Sequence, residues 1–332
     1  MTQAEFYEAI RKARESYRDV MRKVNREISQ LYIDAANEIS DKIKTLTVKG
    51  KGDSLTAASM AKLESALRKT GARIAGSTED IIVDSINKSI TKTSGPHEEF
   101  LKDAIKQSDI NKIKFDIIES MYSQLNEDLI NLTYTRIWKD GYTFSDKIWG
   151  FPGELPGLSG YWQKTVKDII TSGFAQGRDI LQIAKDLSVY AKKGKPGLMQ
   201  RYGDLILGTK KFSDRIPKWI DWRAMRLARS ELYISLQESA KLQGRMNPAV
   251  LAYIWNLTAG AQHDRCDCPD IAANSPYTEN TLPGWQHANC LCYITYKIRG
   301  RDEFINDLID WGNGMGVPYL DNWFQNVYLP AA

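Results

Sequence analysis

MTQAEFYEAIRKARESYRDVMRKVNREISQLYIDAANEISDKIKTLTV, residues 1–48, contains neither glycine nor proline. Apolar side chains recur at Phe6, Ile10, Ala13, Tyr17, Val20, Val24, Ile28, Leu31, Ala35, Ile39, Ile43 and Leu46. Their mean step of about 3.6 residues is that of a straight α-helix, not the roughly 3.5 of a supercoiled heptad. Thr2 followed three positions later by Glu5 is a capping-box start. The pattern predicts one long helix that lies against neighbouring helices and does not form an extended two-stranded coiled coil.

Working outward, Gly50 and Gly52 end this helix and Ser54 opens a second, helical in spacing through Ala75. Ser77, with Asp80 three residues on, begins a third carrying Ile81, Ile82, Ile86 and Ile90, which Gly95 and Pro96 stop. A fourth stretch, from about Glu98 to Trp138, carries Ile113, Ile117, Ile118, Met121, Leu125, Leu129 and Leu132. Stripes of this kind are core-packing faces. Residues 141–160, GYTFSDKIWGFPGELPGLSG, mark a boundary or a functional loop. Helical pattern resumes over 161–193, broken by Gly173 and Gly177, where Asp179 can cap a new start. A basic, glycine-containing connection, 193–217, leads to a strong helix from about Trp219 to Gly244.

After Asn247 and Pro248 the period becomes extended, and residues 250–257 and 290–298 read as strands. The expected fold is mainly α, a long N-terminal helix and a helical bundle, with a small C-terminal α+β unit whose short β-hairpin carries a Cys/His cluster. The expected regions are 1–145, helical; 146–245, helical with the basic linker; and 246–332, a small β-containing Cys/His domain with an aromatic tail. That tail gathers Trp323, Phe324, Val327, Tyr328 and Leu329, which need docking on this chain or a neighbour.

Composition narrows the class. With 42% hydrophobic and 26% charged residues, the chain is ordinary globular material, neither disordered nor collagenous. No run approaches the roughly 20 apolar residues that span a bilayer, and the N-terminus lacks the apolar core of a secretory signal. Synthesis and retention in a cytoplasm are expected. Four cysteines among 332 residues are too few for a disulfide scaffold, which favours metal binding. Net charge is only +4, yet the segment from Lys185 to Arg229 is locally basic. Lys192, Lys193, Lys195, Arg201, Lys210 and Lys211 are either a solvated face and linker or contacts to DNA phosphates.

Chemistry concentrates in two segments, HDRCDC at 263–268 and HANCLC at 287–292, each of the form His-x-x-Cys-x-Cys. They hold every cysteine and two of the three histidines within a 30-residue window. Thiolate and imidazole are the donors of tetrahedral zinc sites, and two short ligand-bearing segments joined by a loop bring them together. The preferred ligands of a structural zinc ion are Cys266, Cys268, His287 and Cys290, with His263 and Cys292 in reserve as ligands or supporting partners. An extended Cys-x-Cys step points its two sulfurs to opposite faces, so the chain must turn there, and Pro269 favours a turn. Reduced buried cysteines and a cross-strand disulfide are the alternatives.

Catalytic signatures are missing from the sequence. Nucleic-acid deaminases need His-x-Glu before Pro-Cys-x-x-Cys, whereas Asp264-Arg265 and Ala288-Asn289 follow the two histidines. No HExxH, GxSxG or GxxxxGK[ST] occurs. His97, beside Gly95-Pro96, reads as a surface residue at a helix start. The expectation is a protein that is not an enzyme.

Three pieces together resemble the phage Mu protein F-like family of minor head proteins, also called head morphogenesis proteins. RLARSELYISLQESAKLQG, with Arg229, Ser230 and Glu231, resembles the family's helix with an Arg-Thr-Glu core. Trp255 followed by Asp264, Arg265 and Cys266 resembles its Trp…Asp-x-Arg-x-Cys segment, and Pro283, His287, Cys290 and Cys292 its Pro…His-Pro-x-Cys-Arg-Cys close. The chain departs from the family pattern at Cys266-x-Cys268, at Ala288 and at Leu291. The resemblance implies a structural component of a tailed-phage virion, assembled in the host cytoplasm and placed at the portal vertex or head interior. Its implied roles are head assembly or DNA delivery. The implied partners are the portal protein, major capsid or scaffolding protein, and packaged double-stranded DNA bound without sequence preference. The competing expectation is a zinc-containing DNA-binding protein acting in the host cell.

Overall fold

A computed structural model describes residues 1–48, 56–175, 178–202, 217–258, 266–287 and 292–332. The opening stretch is a single helix, α1, Gln3–Val48. Its capping box is formed: the Thr2 amide donates to Glu5 Oε2 at 2.7 Å and the Glu5 amide to Thr2 Oγ1 at 3.2 Å. The buried stripe follows the expected seam, except that Met21 and Tyr32 lie deeper than their neighbours Val20 and Leu31.

Downstream, two of the expected breaks are absent. Helix α2, Ala57–Ser108, is continuous through Ala75–Ser77 and through Gly95-Pro96. Pro96 removes one helical hydrogen bond, but Ile90, Phe100, Leu101 and Ala104 are buried on either side of it. Burial along both flanks outweighs local helix-breaking tendency. The break falls instead at Asp109, a non-glycine residue with φ of 52°, so the fourth expected stretch begins anew as α3, Phe115–Thr135. Gly50, Gly52 and Ser54 lie outside the described residues.

The glycine- and aromatic-rich segment contains a short helix, α4, Phe144–Trp149, held by a Thr143/Asp146 capping box. Helix α5, Gly157–Ala175, passes through Gly173 unbroken. A Cβ at Gly173 would stand 2.5 Å from Ile183 Cγ1, so this glycine admits a neighbouring helix and does not end its own. Asp179 caps α6, Ile180–Tyr202, its Oδ1 accepting the Gln182 amide at 2.8 Å. The first part of the basic connection is therefore helical, with one kink at Gly194, φ 62°. Then follow α7, Trp222–Met246; β1, Val250–Asn256; α8, Cys268–Ala273; β2, Tyr293–Ile298; α9, Arg301–Gly312; and α10, Pro318–Trp323. The fold is mainly α with one small antiparallel sheet near the C-terminus. No helix among the described residues is long and apolar enough to cross a membrane.

Contacts group the chain into two compact units that interleave in sequence. One comprises Met1–Arg22, Val83–Thr133 and Arg229–Ala332; the other comprises Lys23–Ile82 and Tyr134–Ala228. In the first, Phe6, Phe100 and Phe304 join the sheet residues Tyr253, Trp255, Ile294 and Tyr296 in the core. His97 is fully buried there, a correction to its reading as a surface residue. Its ring meets Phe6 at 5.0 Å and Tyr296 at 4.6 Å, both edge-on. The aromatic tail docks within this unit. Trp323 Nε1 donates to the Met246 carbonyl at 2.9 Å, and Tyr328 Oη accepts the Lys114 amide at 2.7 Å.

The second unit packs Ile28, Ile39 and Ile43 of α1 with Leu63, Leu67, Trp162, Val166 and Leu187 in its core. It also buries a charge: Asp186 is fully enclosed and pairs with Arg178 through Nε at 2.7 Å and Nη2 at 3.0 Å. The ion pair, with its hydrogen bond from Nη2, compensates for desolvation.

Candidate metal centre

β1 and β2 pair antiparallel, with Trp255 opposite Ile294 and Asn256 opposite Tyr293. The last residue of β1 thus stands beside the first of β2, and the connection between them carries the Cys/His segments. Tyr253 exchanges backbone hydrogen bonds with Tyr277 at 2.8 and 2.7 Å, the Trp255 amide donates to Ser275 Oγ at 2.9 Å, and Tyr277 Oη donates to the Ile271 carbonyl at 2.7 Å. These bonds fix α8 and the following loop on the sheet.

Cys268 opens α8 with Pro269 directly after it. The turn that the Cys-x-Cys spacing requires is the start of this helix, because a proline is well suited to a first helical turn. As a result the ligand atoms of Cys266, Cys268 and His287 all lie within 4.8 Å of one another. Cys268 is fully buried and the other two are partly so. Cys268 Sγ lies 3.7 Å from His287 Nε2. Two thiols and an imidazole gathered at this distance could hold a metal ion, with sulfur favouring a soft or borderline one.

Cys290 and His263 lie outside the described residues. Cys292 is buried but is not in the group. Its carbonyl accepts Gln237 Nε2 at 3.0 Å, and it lines a small cavity with Arg14 and Tyr293. None of Cys266, Cys268 and Cys292 is in a disulfide. Of the basic candidates, Lys192 and Lys193 are exposed on α6 and Lys195 is partly buried, while Lys210, Lys211 and the Arg201 side chain are outside the described residues.

Compared with protein-family models, curated proteins and solved structures, the chain finds no match. Its function has to be read from its own residues. Two features escaped the sequence reading. One is the buried His97, whose neighbours come from three distant segments. The other is an aromatic and cationic cavity at the start of α7, signalled by the interleaving of tryptophan and arginine in WIDWRAMR, residues 219–226.

Proposed function

We propose that the chain is a structural protein of a tailed-phage head, bound at the portal or head interior, and that its Cys/His cluster holds a structural zinc ion. The convergence of Cys266, Cys268 and His287 within 4.8 Å carries the metal part of this reading. Zinc takes sulfur at about 2.3 Å and nitrogen at about 2.0–2.1 Å, which at a tetrahedral angle separates S and N by about 3.6 Å. The observed separation of 3.7 Å agrees with such a site. Cys290 or His263 would supply the fourth donor. When bound, the ion would cross-link the connection between β1 and β2 and contribute directly to folding of that segment. The phage role is supported by the resemblance of residues 219–296 to the minor head proteins and by the helix-rich architecture.

Elemental analysis of protein purified without added metal tests the zinc part, with about one zinc per chain expected and near-zero content counting against it. Copurification with portal protein in assembled heads tests the role; absence from purified particles would remove it. A second reading, DNA binding in the host cell, draws on the exposed Lys192 and Lys193. Contacts to phosphates alone would make binding sequence-independent and steeply salt-sensitive.

A further inference from the structure

The two sulfurs of the Cys/His group differ in a way that bears on their chemistry. Cys266 is half-buried and reaches solvent, whereas Cys268, two positions on, is fully buried. Their Sγ atoms lie within 4.8 Å of each other, and His287 completes the group. Two sulfurs on one tetrahedral zinc ion stand about 3.8 Å apart, given a Zn–S length of about 2.3 Å. The same approach leaves them a short movement from a disulfide. A solvent-reaching thiolate with a second thiol poised behind it is the arrangement of a redox-responsive pair.

The local chain permits that movement. Cys266 precedes α8, so the helix holds Cys268 and not Cys266. Asp267, between them, is the exposed N-cap residue and makes no side-chain capping bond that a rotation would break. Behind the pair, α8 is fixed. Ser275 and Tyr277 tie the following loop to β1, and Tyr277 Oη donates to the Ile271 carbonyl at 2.7 Å. Cys268 is therefore the stationary sulfur and Cys266 the one that moves. Cys292, the other described cysteine, is buried and stands outside the group.

We infer that Cys266 and Cys268 are a redox switch on the metal centre, joining as a disulfide under a hydroperoxide and releasing the ion. With hydrogen peroxide, the Cys266 sulfur attacks one peroxide oxygen and the O–O bond breaks. The departing oxygen takes its proton from solvent and leaves as water, and the other stays on Cys266 as a sulfenic acid. The Cys268 sulfur then attacks the Cys266 sulfur. The S–S bond forms, the S–O bond breaks, and the hydroxide that leaves is protonated to a second water. Two electrons pass from the sulfurs to the peroxide. The ion loses its hold because the thiolate is the form that ligates, and a disulfide sulfur carries no anionic charge. Of the three gathered donors only His287 remains. Reduction by a dithiol regenerates both thiols. The inference rests on the metal reading and is independent of the phage role.

Treatment of the zinc-loaded full chain with hydrogen peroxide tests it on the wild-type protein. Released zinc is read with a chromophoric chelator, and the remaining thiols are alkylated before chymotryptic digestion. Cleavage after Tyr277 or Trp285 separates Cys266 and Cys268 from Cys290 and Cys292. Zinc should be lost in step with disulfide formation. The peptide holding Cys266 and Cys268 should be two hydrogens lighter and unalkylated, and a dithiol should restore both its thiols and zinc binding. Cys292→Ser should release zinc at the wild-type rate. Zinc retained under peroxide, zinc lost while Cys266 and Cys268 still alkylate, a disulfide pairing either of them with Cys290 or Cys292, or a loss that a dithiol does not reverse would each overturn the inference and leave the metal reading standing. A chain that holds no zinc before oxidation would defeat the metal reading, and this inference with it.

Discussion

Mild acid should destabilise the first unit through His97, and the size of the effect follows from its surroundings. The imidazole is fully buried, with the rings of Phe6 and Tyr296 against it. Its Nδ1 lies 3.4 Å from Asn247 Nδ2, and its Nε2 has no partner among the described residues. No carboxylate compensates for a charge there, so burial pushes the folded-state pKa from 6.5 down to about 3. A depressed histidine is bound to fewer protons when folded than when unfolded. Its stability contribution is therefore complete above pH 6.5 and is lost progressively as pH falls toward 3. Between pH 7 and pH 5 the loss is about 2 kcal/mol, from about 1.4 kcal/mol per pH unit over the part of that range below the unfolded pKa. The carboxylates of Glu5 and Asp103, lowered by their hydrogen-bond partners, titrate below this window. Urea unfolding at the two pH values, for wild type and His97→Gln, isolates the effect because glutamine does not titrate. Wild type should lose about 2 kcal/mol more than the variant on acidification. Equal losses would show that His97 is not a neutral, unprotonatable core residue, and the reasoning from burial would fail.

Other perturbations probe other parts of the molecule. Asp186→Asn leaves Arg178 in place without its carboxylate and should destabilise by about 3 kcal/mol, the lower end for a broken buried pair because Arg178 keeps some solvent contact. Thermal unfolding measures it, and a loss under about 1 kcal/mol would mean the pair behaves like a surface bridge. Gly173→Val forces a Cβ into Ile183 and should cost about 1–3 kcal/mol, with Ile183→Ala in the same chain restoring part of it. Additive losses would argue against a direct clash. Cys268→Ser, or a strong chelator, should expose the amides of β1 and β2 to hydrogen exchange while leaving α5 and α6 protected. Unchanged protection of the strands would remove the metal clamp from the account of their stability.

Much of the helical architecture was legible because long amphipathic stripes carry their own period. α1 needed nothing beyond its spacing and Thr2/Glu5, and both strands were marked by the change of pattern after Pro248. The errors share a cause. Gly95-Pro96 and Gly173 were read as stops because local propensity was weighed without knowing what lay opposite. Tertiary burial carries α2 past the proline, and a close neighbour explains Gly173. His97 was misplaced for the same reason. The Cys/His group was visible through residue type and spacing, and Cys292, held in reserve, stands outside the group formed by Cys266, Cys268 and His287. The contact of the Arg223 guanidinium with the Tyr161 ring joins segments some sixty residues apart, a juxtaposition that periodicity does not encode.

The interleaved layout of the two units has a temporal side. Every segment of the second unit has been made once residue 228 leaves the ribosome, whereas the first needs residues 229–332 to join its opening helix. The second unit can therefore close during synthesis, while Phe6 has only His97 and Phe100 of the early segments to meet until the sheet arrives with Tyr296. Until residues 229–332 are made, the opening helix has only part of its apolar partner surface, and a nascent-chain chaperone that shields amphipathic helices would act there.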